Sequence, residues 1–180
     1  MNNIPILRRI RFETEKLDCV EVGEDFRGGT RLYESAIVGR IHLYLNGDEL
    51  RVERRIPSDF DVSDTAKAMF EMSSEFERIG SASANPFCCV CGDRGCAYLE
   101  WRLETVDSET RLIMEDLIGN PIGAHQYRVQ PKTLYKAVAE LAETVVITME
   151  DADVRQTTAG TIQEFVDWHE QLIQWEENES

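Results

Sequence analysis

An α+β fold, with an antiparallel sheet built from hairpins and packed by about three helices, is what this sequence predicts. Three observations carry that expectation. Apolar and polar residues alternate on both sides of Asn46-Gly47, apolar residues recur at helical spacing in three separate stretches, and the order of elements is strands, helix, strands, helix, helix. At 180 residues the chain is long enough to bury a full core, and it reads as one domain over residues 1–180 with an acidic helical part from about residue 137.

The elements follow in order. Residues 6–15 end in Ile10, Phe12 and Thr14 and read as an edge-like strand with arginines outward; residues 17–22 suit a second short strand. Residues 24–31 contain Gly28-Gly29 and read as a loop. The hairpin comes next: residues 37–45 alternate, Asn46-Gly47 supplies the two positive-φ positions of a type I′ turn, and residues 49–56 return. Residues 62–79 form a helix capped by Asp61 or Ser63, with Val62, Ala66, Met69, Phe70, Ser73 and Phe76 on one stripe. Residues 80–86 are small and polar and read as a loop. Strands are expected at 97–106, with Leu99, Trp101 and Leu103 on one face, at 111–118, and at 124–129. Pro131 suits the first position of a helix carrying Leu134, Ala137, Val138, Leu141 and Val145, and a last helix spans 161–175.

Charge narrows the function. The formal net charge is −15. From residue 137 onward eleven acids face a single base, Arg155. Such a field repels phosphate backbones and anionic membranes, so neither nucleic acid nor membrane is an expected partner, whereas a basic protein is attracted and steered. Arg8, Arg9 and Arg11 interrupt the start of the chain, and no stretch approaches the roughly 18 apolar residues of a membrane span. A cytoplasmic location is expected, where thiols stay reduced.

Four of five cysteines fall in residues 88–96. Cys89, Cys91 and Cys96 can form a three-ligand nest around the Gly92 to Gly95 loop, with Cys88, Cys19 or His125 as the fourth zinc ligand. Cys88 and Cys89 are adjacent and point to opposite faces of an extended chain, which argues against one metal taking both. A redox pair of Cys91 and Cys96, or a tight turn in which the thiols pack as small apolar groups, are the other readings. No cofactor is required by the sequence, and zinc is the one it would accommodate. His42, His125 and His169 lack a neighbouring nucleophile signature, and no phosphate-cradling glycine loop or His-Glu-x-x-His is present, so no catalytic residue is nominated.

The segment Cys89-Val90-Cys91-Gly92-Asp93-Arg94-Gly95-Cys96, followed by a strand bearing Trp101, resembles a Cys-x-Cys-Gly-x-x-Gly-Cys turn of small uncharacterised bacterial proteins. Some of these are immunity partners of secreted toxins. The resemblance covers about fifteen residues, and Cys88 lies outside it. It implies an immunity-type inhibitor that neutralises a basic toxin domain, and it brings no catalytic residues. Charge then nominates the contact surface: Glu164, Asp167 and Glu170 on the last helix and the Asp151/Asp153 loop. The alternative is a small zinc- or thiol-dependent module built on Cys89, Cys91 and Cys96.

Overall fold

Ile6 and Leu7 form a first short strand, β1 (Ile6–Leu7), and after a bend at Arg8 and Arg9 the chain continues as β2 (Ile10–Val22) in a different sheet. The computed structural model describes residues 4–22, 34–50, 60–88, 99–116 and 118–178. The expected gap between residues 15 and 17 is a bulge rather than a strand end. Lys16 takes φ 55°, and the register against β3 (Glu34–Leu45) shifts between Glu15 and Asp18. Gly39 permits this bulge, because a Cβ there would lie 2.8 Å from Leu17 Cδ2 and 2.9 Å from the Glu15 carbonyl oxygen.

The Asn46-Gly47 turn forms as the sequence requires. Both residues have positive φ, 55° and 98°, and β4 (Asp48–Glu49) pairs back on β3. The expected return beyond residue 50, like the loop at 24–31, lies outside the described residues. Asn46 also reaches out of its own hairpin. Its Oδ1 accepts from the Arg8 and Arg9 N–H groups at 2.8 and 3.2 Å, and its Nδ2 donates to the Ile6 carbonyl at 2.9 Å. One turn side chain thus fixes the place where the chain changes sheets.

β5 (Phe60–Asp61) adds to β3 and leads directly into α1 (Val62–Ile79). Asp61 is the N-cap, accepting from the Asp64 N–H at 2.9 Å, and Gly80 ends the helix in the left-handed region at φ 73°. The stretch expected to be a loop after Gly80 is instead a strand, β6 (Ser81–Ala84). Its residues are too small to show a hydrophobic pattern, yet Ala82 is buried and every position finds a partner in β7 (Glu100–Val106). β7, β8 (Glu109–Glu115) and β9 (Pro121–Val129) form an antiparallel meander. The β7–β8 turn, Asp107-Ser108, reaches positive φ at both positions without glycine. β1 closes this sheet by pairing parallel to β9, giving the order β1-β9-β8-β7-β6; the second sheet runs β2-β3-β4.

Two long helices complete the chain, α2 (Pro131–Asp151) with Pro131 in its first turn and α3 (Ile162–Asn178). α1 packs on β3, β6 and α2, α2 lies over β2, and α3 packs on α2. The apolar stripes meet in one core. Trp101 is fully buried and meets Phe12 of the other sheet at 6.1 Å between ring centroids. Phe70 of α1 stacks on Trp168 and Trp175 of α3 at 5.1 and 6.1 Å, so these tryptophans serve packing. None of the described helices is long and apolar enough to cross a membrane.

Candidate functional site

The nominated acids fall in two places. Asp151 ends α2, and Asp153 follows at φ 52° in the connection to α3. Asp153 is almost fully exposed, its side chain 91% accessible, and stands 3.5 Å from the Arg155 guanidinium. This connection is built firmly. Thr157 is buried, its hydroxyl donates to the Gly160 carbonyl and accepts from the Ala159 and Gly160 N–H groups, and the Thr158 N–H reaches the Ser35 carbonyl at 2.8 Å. The acids therefore ride on a fixed loop.

Glu164, Asp167 and Glu170 are exposed on α3, which carries five acids and neither Lys nor Arg. They are not equivalent. Glu164 Oε2 accepts from the Thr161 N–H at 2.7 Å and its hydroxyl at 2.9 Å, while the Glu164 N–H reaches back to Thr161 Oγ1 at 3.3 Å. This reciprocal capping box holds the carboxyl below its usual range, the backbone bond being the larger cause. Its first role is to start the helix. Asp167 accepts from Gln163 Nε2 at 2.8 Å. Glu170 has no hydrogen-bond partner among the described residues.

Asp151 faces a groove that no single stretch of sequence announces. The groove, about 710 Å³, runs between the second half of β2 and the last turns of α2. Leu17, Val20 and Ile147 form apolar parts of its wall, and Ile147 is 51% exposed. Asp18, Glu21 and Asp151 stand along it, and among the described residues no Lys or Arg lines it. The bulge at Lys16 sets which β2 side chains turn into the groove. Among the described residues β2 pairs with β3 alone. The C-terminal end of α2 adds its partial negative charge here, with no basic residue in the last turn to offset it. An apolar wall under a one-signed rim can seat an amphipathic, cationic segment. Asp18 and Glu21 escaped notice because their acidity matters only once α2 brings Asp151 to them.

Cys89, Cys91 and Cys96 lie outside the described residues, and so does the loop between them. Cys88, at the start of the run, is anchored on both sides: its N–H donates to Thr65 Oγ1 at 3.1 Å and its carbonyl accepts from the Asp61 N–H at 2.8 Å. Asp61 beneath it is buried, and desolvation, reinforced by Asp64, pushes its carboxyl up to about 6. Cys19 sits on β2, with β3 and β5 between it and Cys88, so it does not approach the start of the run. Among the described residues no three His, Cys, Asp or Glu side chains are grouped to hold a metal.

The histidines pair with carboxylates. His42 Nδ1 lies 2.8 Å from Glu49 Oε1, with Glu15 on its other nitrogen at 3.8 Å, and His125 Nε2 lies 2.8 Å from Glu115 Oε1. No hydroxyl or thiol among the described residues bonds to either ring, so neither pair is set up to activate a nucleophile there. His169 is half-buried on α3. Compared with known protein families, with curated proteins and with solved structures, the chain matches none.

Proposed function

We propose that this protein is an acidic binding module that seats a basic segment of a partner protein, acting as an immunity-type inhibitor of a basic toxin domain in the cytoplasm. The observation that carries this reading is the groove between β2 and α2, where Asp18, Glu21 and Asp151 rim an exposed apolar wall with no cation among its described lining residues. Apolar contact supplies affinity and the rim supplies orientation and on-rate. The outer face of α3, with Asp167 and Glu170, extends the same sign of field toward an approaching cationic surface.

The test is native mass spectrometry of tagged protein isolated from its own cells under reducing conditions, for the parent and for Asp18→Lys/Glu21→Lys/Asp151→Lys. A stoichiometric basic polypeptide on the parent and its loss from the triple variant are expected. Retention by the variant, or an acidic polypeptide on both, would sink the reading.

The anchoring of Cys88 favours one alternative, a zinc- or thiol-dependent module. A run that starts from a fixed backbone needs less ordering to bring Cys89, Cys91 and Cys96 together. Zinc content and melting temperature of the three single Cys→Ser variants test it: no change in either removes the cysteines from function.

A further inference from the structure

At the far end of α2 the sign of the surface inverts. Arg8 and Arg9 from the β1–β2 connection and Arg11 from β2 face Lys132 and Lys136 from the first turns of α2 across a cleft of about 460 Å³. Among the described residues its carboxylates are Glu140 and Glu176. In a chain with 34 acids and 19 bases, five cations on one cleft are a local reversal of the field. Arg11 pairs with Glu13 at 2.6 Å. Arg8, Arg9, Lys132 and Lys136 form no ion pair among the described residues.

These cations are held together by structure rather than gathered by chance mobility. The Asn46 side chain accepts from the Arg8 and Arg9 N–H groups and donates to the Ile6 carbonyl, and the Arg128 N–H donates to the Pro5 carbonyl at 2.9 Å, tying the same segment to β9. Opposite them, α2 begins with Pro131, has no acid in its first turn, and has an N-cap, Gln130, whose side chain makes no capping bond. The positive end of the helix therefore adds to the lysines instead of being offset. A second hollow of about 600 Å³ shares Arg8 and Arg9 and extends to Arg128, whose guanidinium pairs with Glu109 at 3.3 Å.

Like charges converging on a concave site repel one another until an anion enters. Arginine forks match phosphate oxygens in pairs, and lysine meets them as a point charge. The cations span two adjoining hollows, which suits a ligand with more than one phosphate. A long nucleic acid is disfavoured by the net charge of −15 outside the cleft. We infer that this cleft binds a small polyphosphate, with Arg8 and Arg9 on one phosphate and Lys132 and Lys136 on the next. The site is independent of the acidic groove, which lies at the opposite end of the helix.

Isothermal titration calorimetry on the full chain in 20 mM NaCl, with sodium pyrophosphate as the probe, tests this. One-to-one binding is expected, at least tenfold tighter than inorganic sulfate and absent for adenosine. Arg9→Gln/Lys132→Gln should weaken it tenfold or more at an unchanged melting temperature, whereas Arg40→Gln on β3 should leave it intact. No heat up to millimolar pyrophosphate, equal affinity for sulfate, or an unchanged affinity in the double variant overturns the inference. Single-stranded RNA binding a hundredfold tighter than pyrophosphate would put a nucleic acid there and overturn the small-ligand assignment as well.

Discussion

Asn46 and Arg9 are joined twice: the Arg9 N–H donates to Asn46 Oδ1 at 3.2 Å, and the Asn46 N–H donates to the Arg9 carbonyl at 2.9 Å. A hairpin turn in one sheet thereby holds the crossing point to the other. Asn46→Gly keeps the positive φ and the backbone bond but loses three side-chain bonds. It should cost about 1–3 kcal/mol in denaturant unfolding, and it should weaken pyrophosphate binding. Unchanged binding would separate the clamp from the cleft.

Gly39 is the counterpart for the acidic groove. The methyl of Gly39→Ala would press on Leu17 and on the Glu15 carbonyl, and the backbone atom cannot swing away. A loss of roughly 1–3 kcal/mol is expected, with amide chemical-shift changes concentrated at residues 15–21. Shifts confined to the neighbours of residue 39 on β3 would show that the bulge does not depend on this glycine.

Asp61 gives stability an unusual pH dependence. Its carboxyl titrates near 6 in the fold against 3.8 in a free chain, so between those values the folded protein keeps a proton that the unfolded chain has lost. The group's contribution is complete below about pH 3.8 and disappears as pH rises through about 6, a cost of up to about 3 kcal/mol at neutral pH. Asp61→Asn retains the Oδ1 that accepts from Ser63 and Asp64 and cannot ionise. It should be more stable than the parent at pH 7.5, with the gap closing toward pH 4. A variant less stable at pH 7.5 would mean that the cap needs the charge.

The charges of α2 run against its dipole at both ends: Lys132 lies in the first turn and Asp151 in the last. Lys132→Glu and Asp151→Lys should each stabilise the fold by about 0.3–1 kcal/mol, and each should abolish binding at its own end only. Improved melting temperature with lost binding is the signature of residues kept for contact. If either change lowered the melting temperature, local pairing would outweigh the dipole.

Local rules made much of the fold legible. Asn46-Gly47 announced its turn because few other pairs accept two positive φ values, and α1 spans Val62–Ile79 as its cap and stripe required. β6 was hidden because Ser81, Ala82, Ser83 and Ala84 are identifiable as a strand only beside β7. Glu164 was legible as surface, but the Thr161 to Glu164 spacing also spelled the capping box that occupies it. Neither the groove nor the cleft could be read locally, since Asp18 and Asp151 line one hollow, and Arg9 and Lys132 another, from more than a hundred residues apart.

The parallel pairing of β1 with β9 matches Ile6 to Arg128 and Leu7 to Val129. A ribosome delivers these partners in the wrong order for prompt closure. At about 5–20 residues per second, the first strand must wait on the order of ten seconds for its neighbour to be synthesised. During that interval Ile6 and Leu7 have no sheet edge to join, and what holds the segment is the clamp of Asn46 in the β2–β3 hairpin. Completion of the molecule is therefore a late, long-range event that also brings Arg8 and Arg9 to Lys132. A nascent chain stalled before residue 121 would hold a folded hairpin with residues 6–9 clamped at Asn46 but β1 unpaired, its strand edge open to chaperones.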